Sequence, residues 1–335
     1  MRTDGPALSP ADPAAANEVR PLWSVMIPTY NPTPHLRDAI VSAQASLSRC
    51  GASAQLELID DASSVDVEAM IREWGLVGVQ VYRRPVNGGL GHCWNTCIDR
   101  ASGSLIHILH QDDLVKPAFY ERMSQLAHDV PTAGMYFCRP EFLDDHGPRL
   151  GDLEQAEEGL IERWLEKICS AQRVQCSAVV VRRQTYARIG RFEPSLRYVI
   201  DWEMWIRIAA ATGVAYLPEA LAVYRMHATA ETRRVKTSGI ATRDFAIALG
   251  FIRKTLDDAS RPDCLASANK FAIDASDWTA QEAEAGKNRR AAAREVRASL
   301  RYLSGSMGWR YKLRQARWYV RLLLGIPPLR RGRGR

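Results

Sequence analysis

No stretch of the 335-residue sequence runs to about 18 consecutive apolar residues, which excludes an ordinary membrane-spanning helix. The seven cysteines include no CxxC pair, and Cys93 and Cys97 stand four apart, so neither a zinc knuckle nor a disulfide framework is encoded. Incidental or core thiols in a reducing, cytoplasmic setting are the expectation. The first residues lack the basic-then-apolar pattern of a secretory signal. Residues 1–20, rich in Ala and Pro, read instead as a disordered leader. Acids are missing from residues 309–335, which hold nine Lys or Arg; of the net charge of +7 this leaves −2 on the remainder. A uniformly basic, nucleic-acid-binding surface is therefore not encoded.

What is present is an ordinary globular composition, 46% hydrophobic and 25% charged, organised around Ser104–Asp113. There a short apolar run after Gly103 ends in His110-Gln111-Asp112-Asp113. The run is too short for a buried helix and reads as a central strand covered on both faces. Ligands of open α/β sheets lie beyond the carboxyl ends of the strands, where Asp112 and Asp113 fall. Adjacent carboxylates repel unless a cation joins them, and a hard divalent ion carrying a phosphate is one natural use. An ordinary strand-end turn is the other.

Upstream, Trp23–Ile27 reads as the first strand, followed by the turn Pro28-Thr29-Tyr30-Asn31. Thr33 as cap and Pro34 as first residue open a helix to about Arg49. A second strand, Gln55–Ile59, ends in Asp60-Asp61, and Ser64 is placed to cap a helix reaching Trp74. A third strand, Val79–Tyr82, precedes Asn87-Gly88-Gly89 and a helix to about Ala101. This alternation implies right-handed crossovers and a parallel sheet, and it collects the acids on one rim. Further on come a helix to about His128, strands at 134–138 and 178–181, a polar loop over 144–158, and a helix from Ile200 with Asp201 in its first turn or at its cap. Strands near 214–217 and 221–224 follow. From about Arg243 the pattern is helical only.

Six pieces in order carry a family resemblance: Val25–Asn31, Leu58–Ser63, Asn87-Gly88-Gly89 with Asn95, His110–Asp113, Asp201-Trp202-Glu203 and Tyr224–His227. Over about residues 23–227 the sequence resembles the family 2 inverting glycosyltransferases. The resemblance implies a GT-A fold: an α/β, Rossmann-like, mostly parallel sheet flanked by helices over 21–240, with a nucleotide-binding part 21–115 and an acceptor part 116–240. A helical carboxyl-terminal region, 241–335, then bears a basic amphipathic tail.

The same resemblance implies metal-assisted transfer of a sugar from a nucleoside-diphosphate sugar with Mn2+ or Mg2+ as cofactor. Nucleotide binding falls to Pro28, Thr29, Tyr30, Asp61, Asn87, Gly89 and Asp112, with Asp60 as an alternative brace for its loop. The metal falls to Asp113, Asp112 and His227, and the catalytic base is Asp201. An inverting displacement needs one carboxylate to take the acceptor proton and no nucleophile. Trp202, Glu203, Arg225 and His110 are assigned to the acceptor or the diphosphate, Trp202 being suited to a sugar platform or to the core, with the sugar platform favoured. Two positions depart from the family pattern: His110 stands where an acid is usual, and Trp94 where an arginine is usual. Imidazole favours borderline metals over Mg2+.

Residues 309–324 alternate aromatic or aliphatic residues with cations at helical spacing, fitting either an interfacial helix on anionic lipid or a helix packed on the domain with a solvated basic face. The first option suits a lipid-linked glycan acceptor, polysaccharide biosynthesis, and a peripheral location on the inner face of the membrane. Two other readings stand beside sugar transfer: a non-catalytic, membrane-recruited nucleotide-sugar-binding protein, and a sugar-1-phosphate nucleotidyltransferase. The latter should carry a Gly-rich loop with Arg and Lys after the first strand, and Pro28–Asn31 has neither.

Overall fold

The computed structural model describes residues 20–151, 157–226, 235, 240–256, 261–303, 305 and 308–326. His227 and nearly all of the expected leader lie outside these residues. The chain divides into two compact units, the first made of Met1–Trp164, Arg173–Ser195 and Met204–His227. Its centre is strand β1 (Trp23–Thr29), every residue of which is buried. β1 runs parallel to β2 (Ala54–Asp60) and to β4 (Leu105–Ile108), and β3 (Gln80–Arg83) extends the parallel set from β2. Crossover helices α1 (His35–Cys50), α2 (Val67–Glu73) and α3 (Leu90–Arg100) join these strands. α1 buries Leu36, Ala39, Ile40 and Ala43, a spacing that places one stripe on the sheet, and Gly51 ends it in the left-handed conformation. Gly103 is required before β4 because a Cβ there would lie 2.5 Å from the Trp23 backbone.

α2 begins later than expected. Asp66, not Ser64, caps it by accepting from the Ala69 amide at 2.9 Å, while Ser64 donates to the Asn31 side chain. The sheet continues in the order β4-β9-β6-β10-β5. Here β5 is Leu114–Val115, β6 Ala133–Asp144, β9 Val179–Arg182 and β10 Gly213–Arg225. β9 is antiparallel to both neighbours, and β10 is parallel to β6. The two strands expected at 214–217 and 221–224 are one, broken in register after Leu217, where Pro218 withdraws a donor from the ladder. Part of the expected loop 144–158 is a hairpin in which β7 (Gly147–Leu150) pairs with β6. Helices α4 (Phe119–Asp129) and α6 (Arg183–Ile189) and the two-residue strand β8 (Gly159–Leu160) complete the first unit, while α5 (Trp164–Ser170) and α7 (Ile200–Ala211) contribute residues to each of the units.

Inside β4, His107 is fully buried, with Nδ1 3.0 Å from the Tyr120 hydroxyl and Nε2 2.9 Å from the Ser177 carbonyl. Neutral imidazole has one donor and one acceptor, and these two partners use both. Burial pulls its pKa down to about 3, against the opposing effect of the Ser177 carbonyl.

The second unit comprises Leu165–Gln172, Leu196–Glu203 and Ala228–Arg335. It contains α8 (Ile240–Thr255), α9 (Pro262–Ala285), α10 (Arg289–Tyr302) and α11 (Trp309–Leu323), and no strand among the described residues. Ala280 and Ala283 of α9, Ala291, Ala292 and Val296 of α10 and Leu322 of α11 form its small-residue core. No described helix is long and apolar enough to cross a membrane.

Candidate active site

The carboxyl ends of β1 and β2 build a cradle from main-chain groups. The Asp61 amide donates to the Thr29 carbonyl at 2.8 Å, and the buried Asp61 carboxylate accepts from the amides of Gly88 (3.1 Å) and Gly89 (2.8 Å). Arg84 completes the set as an ion pair with Asp61, both side chains being largely buried. Asn87 donates to the Asp61 carbonyl at 3.0 Å, so the Asn-Gly-Gly turn is wrapped around this one residue. Gly89 holds φ +82° at the start of α3, a conformation that disfavours a side chain. Asp60 braces the adjoining loop, accepting from the Ser63 amide and from Arg83 at 2.7 Å. Pro28 and Thr29 are buried in β1, and the Tyr30 ring is exposed beside them.

Beyond β4 lies the second cluster. Metal-ligand atoms of His110, Asp112 and Asp113 sit within 4.8 Å of one another. Asp113 is buried; its Oδ1 accepts from the Arg225 amide at 2.9 Å, while Oδ2 has no hydrogen-bond partner and lies 3.4 Å from His110 Nδ1. Burial pushes the Asp113 carboxyl above the usual carboxylate range, against the pull of His110. His110 Nε2 is likewise buried without a partner. Arg225 serves as a latch more than as a free cation: Nε donates to the Asp112 carbonyl at 3.0 Å, and the guanidinium also reaches His35 (3.0 Å) and Asp38 (3.4 Å). Gln111 ties this loop to the first turn, its Oε1 accepting from the Tyr30 amide at 3.0 Å.

Asp201 belongs to the second unit, in the first turn of α7. Its Oδ2 accepts from Gln172 at 2.6 Å and its Oδ1 from the Trp202 amide at 2.7 Å. The sugar-platform reading of Trp202 is corrected here. The indole is fully buried, donates to the Ile168 carbonyl at 2.8 Å and packs edge-on against Phe245 and Phe271, so no face is open to a sugar. Trp205 is buried too. Glu203 is buried as well.

The glycosyl transferase family 2 model matches residues 24–195, half of the chain. The chain belongs to glycosyl transferase family 2. Among curated relatives of this family 2 chain, an uncharacterized protein of Mycobacterium tuberculosis is 28% identical over 243 residues, covering 66% of this chain and 72% of the relative. An uncharacterized glycosyltransferase of Rickettsia prowazekii is 24% identical over 221 residues, covering 64% and 67%. Among solved structures, Staphylococcus aureus TarS 1–349 in complex with UDP-GlcNAc superposes with a TM-score of 0.65 at 13% identity, covering 90% of this chain and 92% of TarS 1–349. The mannosyltransferase PcManGT of Pyrobaculum calidifontis, with GDP-Man and Mn2+, gives 0.54 at 18% identity, covering 92% and 88%. These likenesses establish the GT-A fold.

Within the family 2 domain the two departures from pattern meet. Trp94 stacks on His110 and lies edge-on to Phe192, while Asn95 is spent on the backbone, exchanging hydrogen bonds with the Phe192 amide (2.8 Å) and carbonyl (2.9 Å). The donor set suits a divalent cation: one imidazole and two carboxylates, with Asp113 Oδ2 and His110 Nε2 lacking partners. Sequence reasoning missed Arg84 and Gln111. A basic residue just after β3 and an amide between His110 and Asp112 were the only signals, and neither reveals its partner 23 or 81 residues away.

Proposed function

We propose that this family 2 glycosyltransferase moves a sugar from a nucleoside-diphosphate sugar to a hydroxyl of a carbohydrate, carried on a lipid-linked glycan, with inversion at the anomeric carbon. The observation that carries the reading is the His110, Asp112 and Asp113 cluster, set directly past β4 in the same sheet as the Thr29–Asp61 cradle. The ligands of the solved neighbours, UDP-GlcNAc in TarS and GDP-Man with Mn2+ in PcManGT, support a nucleotide-sugar donor and a divalent cation.

Asp112 and Asp113 would hold the cation, with His110 as a third donor and His227 as the remaining sequence candidate. When bound, the cation supplies charge neutralisation for the departing diphosphate. The Tyr30 ring and the Asp61 cradle receive the base. Asp201 takes the acceptor proton as the acceptor oxygen bonds to the anomeric carbon and the carbon–oxygen bond to the diphosphate breaks. Gln172 and the Trp202 amide orient its carboxylate for that role. We place the enzyme in the cytoplasm, peripheral on the inner face of the membrane, in polysaccharide biosynthesis.

The test is donor turnover by the purified chain over a panel of UDP- and GDP-sugars with Mn2+, Mg2+ or EDTA. Metal-dependent turnover is expected, with Asp201→Asn lowering it by about 100-fold or more while leaving donor-induced thermal stabilisation intact. Transfer at the parental rate by Asp201→Asn would sink the base assignment, and donor binding without any turnover would favour the non-catalytic reading.

A further inference from the structure

Helix α11 has two opposite faces that differ in what they touch. On one, Gln315 and Leu322 are buried, Tyr311 and Gln315 donate to Asp277 of α9, and Trp318 donates to Glu284 at 2.9 Å. Arg314 and Arg321 are held at its edges by the same two acids, at 2.9 and 2.6 Å. On the other face stand Trp309, Leu313, Val320, Leu323 and Leu324, exposed by 70, 44, 51, 62 and 68%. At 3.6 residues per turn these five fall within an arc of about 100°. Exposed Arg310 and Arg317 border the arc on one side and exposed Lys312 on the other. Residues 309–335 contain no acid, and residues 327–335 add four arginines.

This inverts the usual surface helix, whose apolar stripe faces its own core and whose outer face is polar. The structure thus settles neither of the two arrangements expected for this segment in its simple form: the helix is packed, yet its outward face is apolar with cationic margins.

We propose that this outward face docks on an anionic lipid surface, the stripe seated at the acyl boundary and the cations at the headgroups. A second copy of the chain is a poor occupant, because two such stripes in contact would bring cationic margins together. A membrane offers an apolar layer under the stripe and negative charge along both margins. The inference deepens the membrane association in the proposed function and is independent of the sugar chemistry.

The full chain is sedimented with phosphatidylcholine vesicles, with and without phosphatidylglycerol. Binding is expected to the mixed vesicles and to weaken with salt. Replacing Arg310, Lys312 and Arg317 together by Gln is expected to lower partition by about 100-fold, at roughly five-fold per charge. Leu313→Ser with Leu323→Ser is expected to lower it by about ten-fold or more. All five residues are exposed, so thermal unfolding of both variants should match the parent. Absence of binding to mixed vesicles, or binding that neither variant weakens, overturns the proposal. So does a concentration-dependent dimer in sedimentation velocity that the leucine variant abolishes, which would assign the stripe to a second copy. Donor turnover measured on the same samples reports on sugar transfer alone, so failure of one reading is separable from failure of the other.

Discussion

The indole of Trp94 and the imidazole of His110 are stacked, with ring centroids 5.2 Å apart and planes 24° from parallel. The resemblance to family 2 leads one to expect a cation at the first position and an acid at the second, and here two rings in contact stand there. Either charge introduced alone would face a ring in a largely buried site, and a carboxylate at position 110 would also stand beside Asp113, which His110 Nδ1 approaches at 3.4 Å. Trp94→Arg and His110→Asp are therefore each expected to cost about 2–4 kcal/mol. The double replacement should recover at least about 1 kcal/mol beyond additivity, read as a double-mutant cycle in urea. Additive losses would show that the rings are independent. His110→Asp should also shift the metal preference of donor turnover from Mn2+ towards Mg2+, since an imidazole donor is exchanged for a hard oxygen.

Asp113 is expected to set function against stability. Burial already works against its charge, so the neutral amide in Asp113→Asn should unfold later than the parent by roughly 0.5–2 kcal/mol in metal-free buffer, the Arg225 amide keeping an oxygen acceptor. Addition of Mn2+ should raise the melting temperature of the parent and leave Asp113→Asn unchanged. Equal metal-induced shifts in the two proteins would remove Asp113 from the cation site.

Arg84 shares its charge with Asp61 where both are largely out of water. Arg84→Met keeps the length of the side chain and leaves that carboxylate with only the Gly88 and Gly89 amides. A loss of about 2–4 kcal/mol in chemical denaturation is expected. A loss below about 0.5 kcal/mol would mean that the ion pair contributes little and that the amides alone hold the turn.

Acid stability should carry the signature of His107. With its pKa lowered to about 3 in the folded chain and near 6.5 when unfolded, the unfolded state binds the extra proton between those values. The stabilisation is complete above about pH 6.5 and declines as pH falls, by about 3 kcal/mol between pH 6.5 and 4. His107→Gln, with a donor and an acceptor of its own, should flatten that slope in denaturation midpoints measured across the range. An unchanged slope would place the titrating group elsewhere.

Strand and helix order over residues 23–108 was legible because each crossover has its own apolar stripe and the central strands β1 and β4 are buried on both faces, β1 with all seven residues being the clearest case; the partly exposed β3 was legible from its place in the alternation. Asp60-Asp61 and Asp112-Asp113 stood out because they interrupt such strands at their ends. The antiparallel insertion of β9 between β4 and β6 was not legible, since Val179-Val180-Val181 reads the same in either direction. Nor was the continuity of β10 through Pro218, because a bulge tolerates a residue that a regular ladder does not.

By itself the sequence determined the family, the order of the elements and the acids at the strand ends, all of which depend on local periodicity and short patterns. The tertiary structure alone decided which partners those acids take. It put Arg84 on Asp61, Gln111 across to Tyr30 and Trp94 against His110, and it sent Trp202 to the core while the apolar stripe of α11 faced outward. Partner choice depends on distances between residues far apart in the chain, and no local preference encodes those distances.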